Sequence, residues 1–205
     1  MEKIKDIICI NGFNSDSNSY IFDDIIVDTG TGMNKDYLLN ALKKFNLDVD
    51  DINLIINTHG HFDHFGGNYI FPNAKVAIHE ADADIIKNSD DYLSASFLFN
   101  QTNKRNDVDI LLKGNEKFGD FQVISTPGHS SGGICLYDGE FLISGDTIFA
   151  DGGVGRTDIG GNVDDLKNSL LKIKDLTPEY ILPGHGMWCD NGVSNIKMSL
   201  NLLGL

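Results

Sequence analysis

The chain is expected to be an α+β protein built from two mixed β-sheets packed face to face with helices outside, and three observations predict this. Short β-branched runs recur from residue 4 to residue 182. They begin as a cluster of strands, then alternate with helical patterns, and the mixture then repeats, an order that suits two mixed sheets better than one wholly parallel sheet. At 205 residues and 41% hydrophobic content the chain can bury a sizeable core, so residues 1–205 are read as a single domain.

Taken in order, strands are expected at residues 4–10, 20–22, 25–28, 54–58, 75–79, 121–125, 134–137, 141–144 and 180–182. Asp138-Gly139 separates two of them and suits a type I′ hairpin turn. The clearest helix places Tyr37, Leu38, Ala41, Leu42 and Phe45 on one stripe after an Asn34 cap. A second places Leu166, Leu170, Leu171 and Ile173 after an Asn162 cap. Shorter helices are expected over 81–87, 92–99 and 193–203. Residues 100–107 and 151–162 are polar loops too short to link domains.

Composition narrows the function. A formal net charge of −14 repels nucleic acid and anionic membrane, so neither is an expected partner. Cys9, Cys135 and Cys189 are odd in number and widely spaced, which argues for reduced thiols, buried as small hydrophobes, in a cytoplasmic protein. No export signal or spanning apolar segment is visible. Oligomeric state is not legible.

The chemistry concentrates in residues 58–67, Thr-His-Gly-His-Phe-Asp-His-Phe-Gly-Gly, where His59, His61, Asp63 and His64 form an HxHxDH group just beyond a strand. Imidazoles and a carboxylate at this spacing are ligands for a borderline cation such as zinc. Three further ligand-type residues each follow an expected strand: His129 in Thr-Pro-Gly-His, Asp146 in Ser-Gly-Asp-Thr and His185 in Pro-Gly-His-Gly. Strand ends on one edge of a sheet converge, so five of the six histidines are expected in one cleft. The sixth, His79, is read as a hydrogen-bonded structural residue. Arg156 is read equally as a substrate contact and as a loop residue paired with Asp151 or Asp158, and Asp48, Asp50 and Asp51 as a solvated turn.

Together with Asp28 in Val-Asp-Thr-Gly, these motifs in this order resemble the metallo-β-lactamase superfamily over essentially all 205 residues. The resemblance implies a four-layer αββα sandwich with metals at one edge of its two sheets. It further implies that His59, His61 and His129 hold one metal ion, that Asp63, His64 and His185 hold a second, and that Asp146 bridges them. Asp28 matches an aspartate that stands behind the ligands and fixes an imidazole tautomer. Two divalent ions are the implied cofactors, with zinc expected and iron or manganese as alternatives.

Within the superfamily the chain looks most like short glyoxalase II-type thioester hydrolases, through the loop Gly-Val-Gly-Arg156-Thr157-Asp158. It departs from them at 179–186, where Glu-Tyr-Ile-Leu-Pro-Gly-His-Gly replaces a lysine-tyrosine pattern, and in having only twenty residues beyond His185. The leading expectation is an enzyme that hydrolyses a small-molecule thioester. Two cations would lower the pKa of a bridging water from about 15.7 to about 7, with Asp63 and Asp146 as the catalytic carboxylates. The alternative is a mononuclear non-haem iron persulfide dioxygenase using His59, His129 and Asp146, and the third reading is a non-catalytic metal-binding protein. The 39 residues from Asp146 to His185 leave no room for a nuclease-type insertion.

Overall fold

Isoleucine and valine stiffen χ1 and fit a pleated surface, and where they run together here they form the strands of two sheets. The computed structural model describes residues 1–205, which divide into two compact units: residues 1–78 with 83–111, and residues 79–82 with 112–205.

The first sheet has seven strands side by side in chain order: β1 (Glu2–Ile4), β2 (Ile7–Ile10), β3 (Ser19–Phe22), β4 (Ile25–Val27), β5 (Leu54–Ile56), β6 (Lys75–His79) and β7 (Ile110–Leu112). β1 to β4 pair antiparallel, and β4, β5 and β6 pair parallel. Ile26, Val27, Ile55 and Ile56 are fully buried, the continuous apolar pattern of central parallel strands. Between β4 and β5 runs α1 (Lys35–Lys44), whose Leu38, Ala41 and Leu42 face Ile21, Ile26, Ile55 and Val76 in one core cluster. In a second cluster Phe62 and Phe65, from the single turn α2 (Phe62–Phe65), meet Ile78 together with Ala83 and Ile86 of α3 (Ala83–Lys87).

The second sheet runs in the order β12, β11, β10, β9, β8, from β8 (Lys117–Phe118), β9 (Phe121–Ser125), β10 (Ile134–Tyr137), β11 (Phe141–Gly145) and β12 (Tyr180–Pro183). Only the β11–β12 pairing is parallel, so both sheets are mixed, as expected. Its core joins Cys135, Leu142 and Ile181 to Leu166, Leu170 and Ile173 of α4 (Val163–Ile173) and Ile196 of α5 (Gly192–Leu202). Asn162 caps α4 by accepting from the Asp164 and Asp165 amides at 2.8 and 3.1 Å.

Several local expectations need correction. Residues 4–10 are a hairpin, not one strand, because Lys5 takes φ 51° and turns the chain so that Ile4 faces Ile7. Residues 92–99 do not form an α-helix. Asp90 draws the Tyr92 and Leu93 amides to its carboxylate, Ala95 sits at φ 58°, and only a 3₁₀ turn at Ser96–Leu98 follows. The 138–141 turn is tight but not type I′: only Gly139 has positive φ (104°), while Asp138 accepts from the Glu140 and Phe141 amides. Asn34 precedes α1 without capping it, since its amide donates to Phe13 O and Asp16 Oδ2. β7 and β8 lack a β-branched run, and α2 is too short to leave a periodic signal. Asp48, Asp50 and Asp51 do form an exposed turn, as expected, and Asp48 and Asp51 close it with a reciprocal capping box.

Burial raises the Cys9 thiol to about 12 and raises those of Cys135 and Cys189 as well, and none of the three is in a disulfide. No helix is long and apolar enough to cross a membrane.

The α4 contact yields a paired test of this core. Leu170 is fully buried and its neighbour Leu171 is 42% exposed. Leu170→Ala is expected to cost about 3 kcal/mol and Leu171→Ala less than about 0.5 kcal/mol in urea unfolding, because only the first leaves a cavity.

Candidate functional site

In the first unit the site is organised by Asp28, directly after β4. The residue is 2% exposed and held at φ 58°, a conformation that aspartate tolerates better than most. Its Oδ1 accepts from the Thr58 amide at 2.8 Å. Its Oδ2 accepts from the Thr58 hydroxyl at 2.7 Å and from His64 Nδ1 at 2.8 Å. The Thr58 hydroxyl has one proton, which goes to Asp28, so at 3.1 Å it accepts from His59 Nδ1. Both imidazoles are thereby set in the Nδ1–H tautomer, with the lone pair on Nε2.

The remaining ligand-type residues of this unit follow. His64 Nε2 lies 4.0 Å from Asp63 Oδ2, and His59 Nε2 lies 3.1 Å from His61 Nδ1. The His59 and His64 rings are 4.0 Å apart. A buried polar cluster holds this loop in place. Thr29 N, Thr29 Oγ1 and Asn57 Nδ2 all donate to the His64 carbonyl at 2.8, 3.2 and 3.3 Å, and Asn68 ties Thr29 to Asn57. Gly67 is obligatory, because a Cβ there would come within 2.1 Å of Thr29 O.

In the second unit Asp146 follows β11, where a register shift between Ile143 and Gly145 re-aims the chain. Its Oδ2 lies 3.4 Å from His129 Nε2 and 3.6 Å from His185 Nε2. Asp146 and His129 are buried, and the His185 side chain is 36% exposed. His129 Nδ1 donates to the Arg156 carbonyl at 2.6 Å, which again leaves the lone pair on Nε2. The Gly184 amide donates to Gly145 O at 2.7 Å and so joins the chain before His185 to the end of β11.

The sequence-singled residues thus fall into two groups. Asp28, His59, His61, Asp63 and His64 come together in the first unit, and His129, Asp146 and His185 in the second. The Arg156 side chain pairs with Asp158 at 2.5 Å, both groups exposed, and this partner lowers the Asp158 carboxyl to about 2. It is the Arg156 main chain that touches the site. His79 stands apart and accepts from the Ala81 amide at 3.3 Å, the structural role expected of it. Sequence reasoning missed Thr58, Thr29, Asn57 and Asn68. Their signal was only a run of small polar residues around a ligand motif, which turns also produce.

Gly155 lies under this second group: a Cβ there would come within 2.0 Å of Asp146 O and 2.8 Å of His129 Nδ1. Gly155→Ala is expected to destabilise the protein by about 1–3 kcal/mol and to displace both His129 and Asp146. Thermal unfolding together with the His129 ring NMR shifts would check it, and unchanged shifts would contradict the packing described.

Residues 14–185 match the model of the metallo-beta-lactamase superfamily. A probable metallo-hydrolase of Methanocaldococcus jannaschii is 34% identical, over 88% of this chain and 92% of its own length. The human acyl-coenzyme A thioesterase MBLAC2 is 28% identical over 79% of this chain and 68% of its own. A protein crystallised in a di-iron-bound form superposes with a TM-score of 0.76 at 26% identity, covering 91% of this chain and 96% of that one. Two mixed sheets with helices, the HxHxDH loop and the family match together establish that the chain belongs to the metallo-β-lactamase superfamily.

Proposed function

We propose that the protein is a metal-dependent hydrolase that uses two divalent ions to cleave small thioesters. The observation that carries this reading is the tautomer control: His59, His64 and His129 each give up Nδ1 to a fixed acceptor and keep a lone pair on Nε2. Histidines that shuttle protons have no need of three separate anchors, whereas ligands do. The buried pair His59 Nε2 and His61 Nδ1, 3.1 Å apart, fits the same chemistry, since two such lone pairs need a proton or a cation between them.

In this reading His59, His61 and His129 hold one ion, Asp63, His64 and His185 the other, and Asp146 serves both. Imidazole and carboxylate donors suit zinc, and iron also accepts them. Bound divalent ions supply hydroxide at neutral pH and polarise the acyl oxygen. The chain's own contribution is to hold each ring and carboxylate in one orientation. Thiolate is a weak base and leaves with little protonation, so no separate general acid is required. The human thioesterase relative supports the thioester class. The segment 179–186 lacks the lysine-tyrosine pattern of glyoxalase II-type enzymes, so glutathione is not a favoured carrier.

Elemental analysis of protein purified without added metal should find two zinc or iron ions per chain, and simple acyl thioesters should be hydrolysed. Asp146→Ala should abolish turnover and lower metal content. S-lactoylglutathione should exceed lactoyl esters of smaller thiols by less than about 100-fold in kcat/KM. One iron per chain with oxygen uptake on a persulfide would overturn the hydrolase in favour of the dioxygenase.

Asp28→Asn tests the tautomer argument. An amide nitrogen facing His64 or Thr58 donates where the carboxylate accepted, so the His64 proton moves to Nε2. Metal affinity in a chelator competition should fall about 10- to 100-fold with the fold intact.

A further inference from the structure

Beside the ligand loop, within the first unit, lies a groove of about 740 Å³ that the chemistry above does not use. Its walls come from the segment after Asp28 and the segment after His64, which pack so closely that a Cβ on Gly32 would meet Gly66 O at 2.9 Å. The volume is that of a small-molecule site.

The lining has two unusual properties. It presents flat rings: Phe13, 49% exposed, stacks on Tyr37 with centroids 5.3 Å apart, and Tyr69 is fixed by donating its hydroxyl to Gly32 O at 3.0 Å. It also gathers positive charge in a chain of net charge −14. Lys104 Nζ and Lys35 Nζ both approach the Tyr69 ring, at 4.5 and 5.9 Å from its centroid. Both lysines line the groove, so an anion bound there meets two positive charges.

Lys35 is also misplaced for stability alone. It is the first residue of α1, where the helix dipole is positive and favours Asp or Glu. Asn34 does not cap that end, so the first-turn amides add to the same positive field. Asp36 is the one acidic residue of the lining.

We propose that this groove binds a phosphorylated nucleotide, the carrier end of the thioester substrate, with the base against the Phe13–Tyr37 stack and phosphate near Lys35 and Lys104. Aromatic faces accept any base, and ammonium groups at a helix start accept phosphate. The inference deepens the hydrolase reading and rests on it for the identity of the substrate, while binding itself is independent of turnover.

The metal-loaded protein should be titrated with adenosine 3′,5′-bisphosphate and, separately, with inorganic phosphate. The bisphosphate should bind at least tenfold tighter than phosphate and weaken with salt. Lys35→Glu and Lys104→Glu should each weaken it about tenfold, as loss of a charge-assisted contact does, and Phe13→Ala should weaken it for lack of the stack. Lys35→Glu keeps the fold, because glutamate is favoured at a helix start. In turnover, the lysine variants should raise KM about tenfold for acetyl-coenzyme A and leave S-acetylpantetheine unchanged. No bisphosphate binding at millimolar concentration, phosphate binding equally well, or affinity indifferent to both charge reversals would overturn the groove assignment. Binding that behaves as expected without hydrolysis of either thioester would keep the groove and remove the hydrolase. Hydrolysis of both with an unchanged KM ratio would do the reverse.

Discussion

A carboxylate removed from water must find donors for its lone pairs, and Asp28 finds three on two residues, Thr58 and His64. Much of the first unit's site depends on that requirement. Because the Thr58 hydroxyl passes its proton to Asp28, it can only accept from His59, so one buried charge fixes two rings. The residue reaches this position by turning out of β4 at positive φ, and the strand's parallel neighbour β5 delivers Thr58 alongside it. Thr29, Asn57 and Asn68 then tie down the His64 carbonyl, so the loop has little freedom left.

The second unit reaches the same end by different means. Behind His129 a main-chain carbonyl does the work. Asp146 is aimed by a register shift in β11, and Gly155 lets the His129 ring and the Asp146 main chain share one cramped place. Shape and close approach do here what charge does in the first unit.

Helices with an apolar stripe and strands built from β-branched runs were legible in the sequence. α1, α4 and α5, the buried strands β4, β5, β10 and β11, and the ligand motifs at their ends all follow from residue type and spacing. Other elements were not: β7 (Ile-Leu-Leu) and β8 (Lys-Phe) lack a β-branched run, and the four residues of α2 are too few for a period to show. Residues 92–99 misled because their apolar spacing was helical while Asp90 and Ser94 offered the backbone other partners. The site's ligand-type residues could be found by chemistry, but Thr58 could not, since its role depends on which proton goes where and not on what kind of residue it is.

The contact between His129 and the carbonyl of Arg156 separates two demands on one residue. The peptide oxygen is the same in every amino acid, so what holds the imidazole is indifferent to the side chain at position 156. That side chain, 58% exposed and joined only to its neighbour Asp158, can therefore be exchanged by evolution or by design to suit new molecules without loosening the ring behind it. A lineage built on this loop can change its diet while its chemistry stays still.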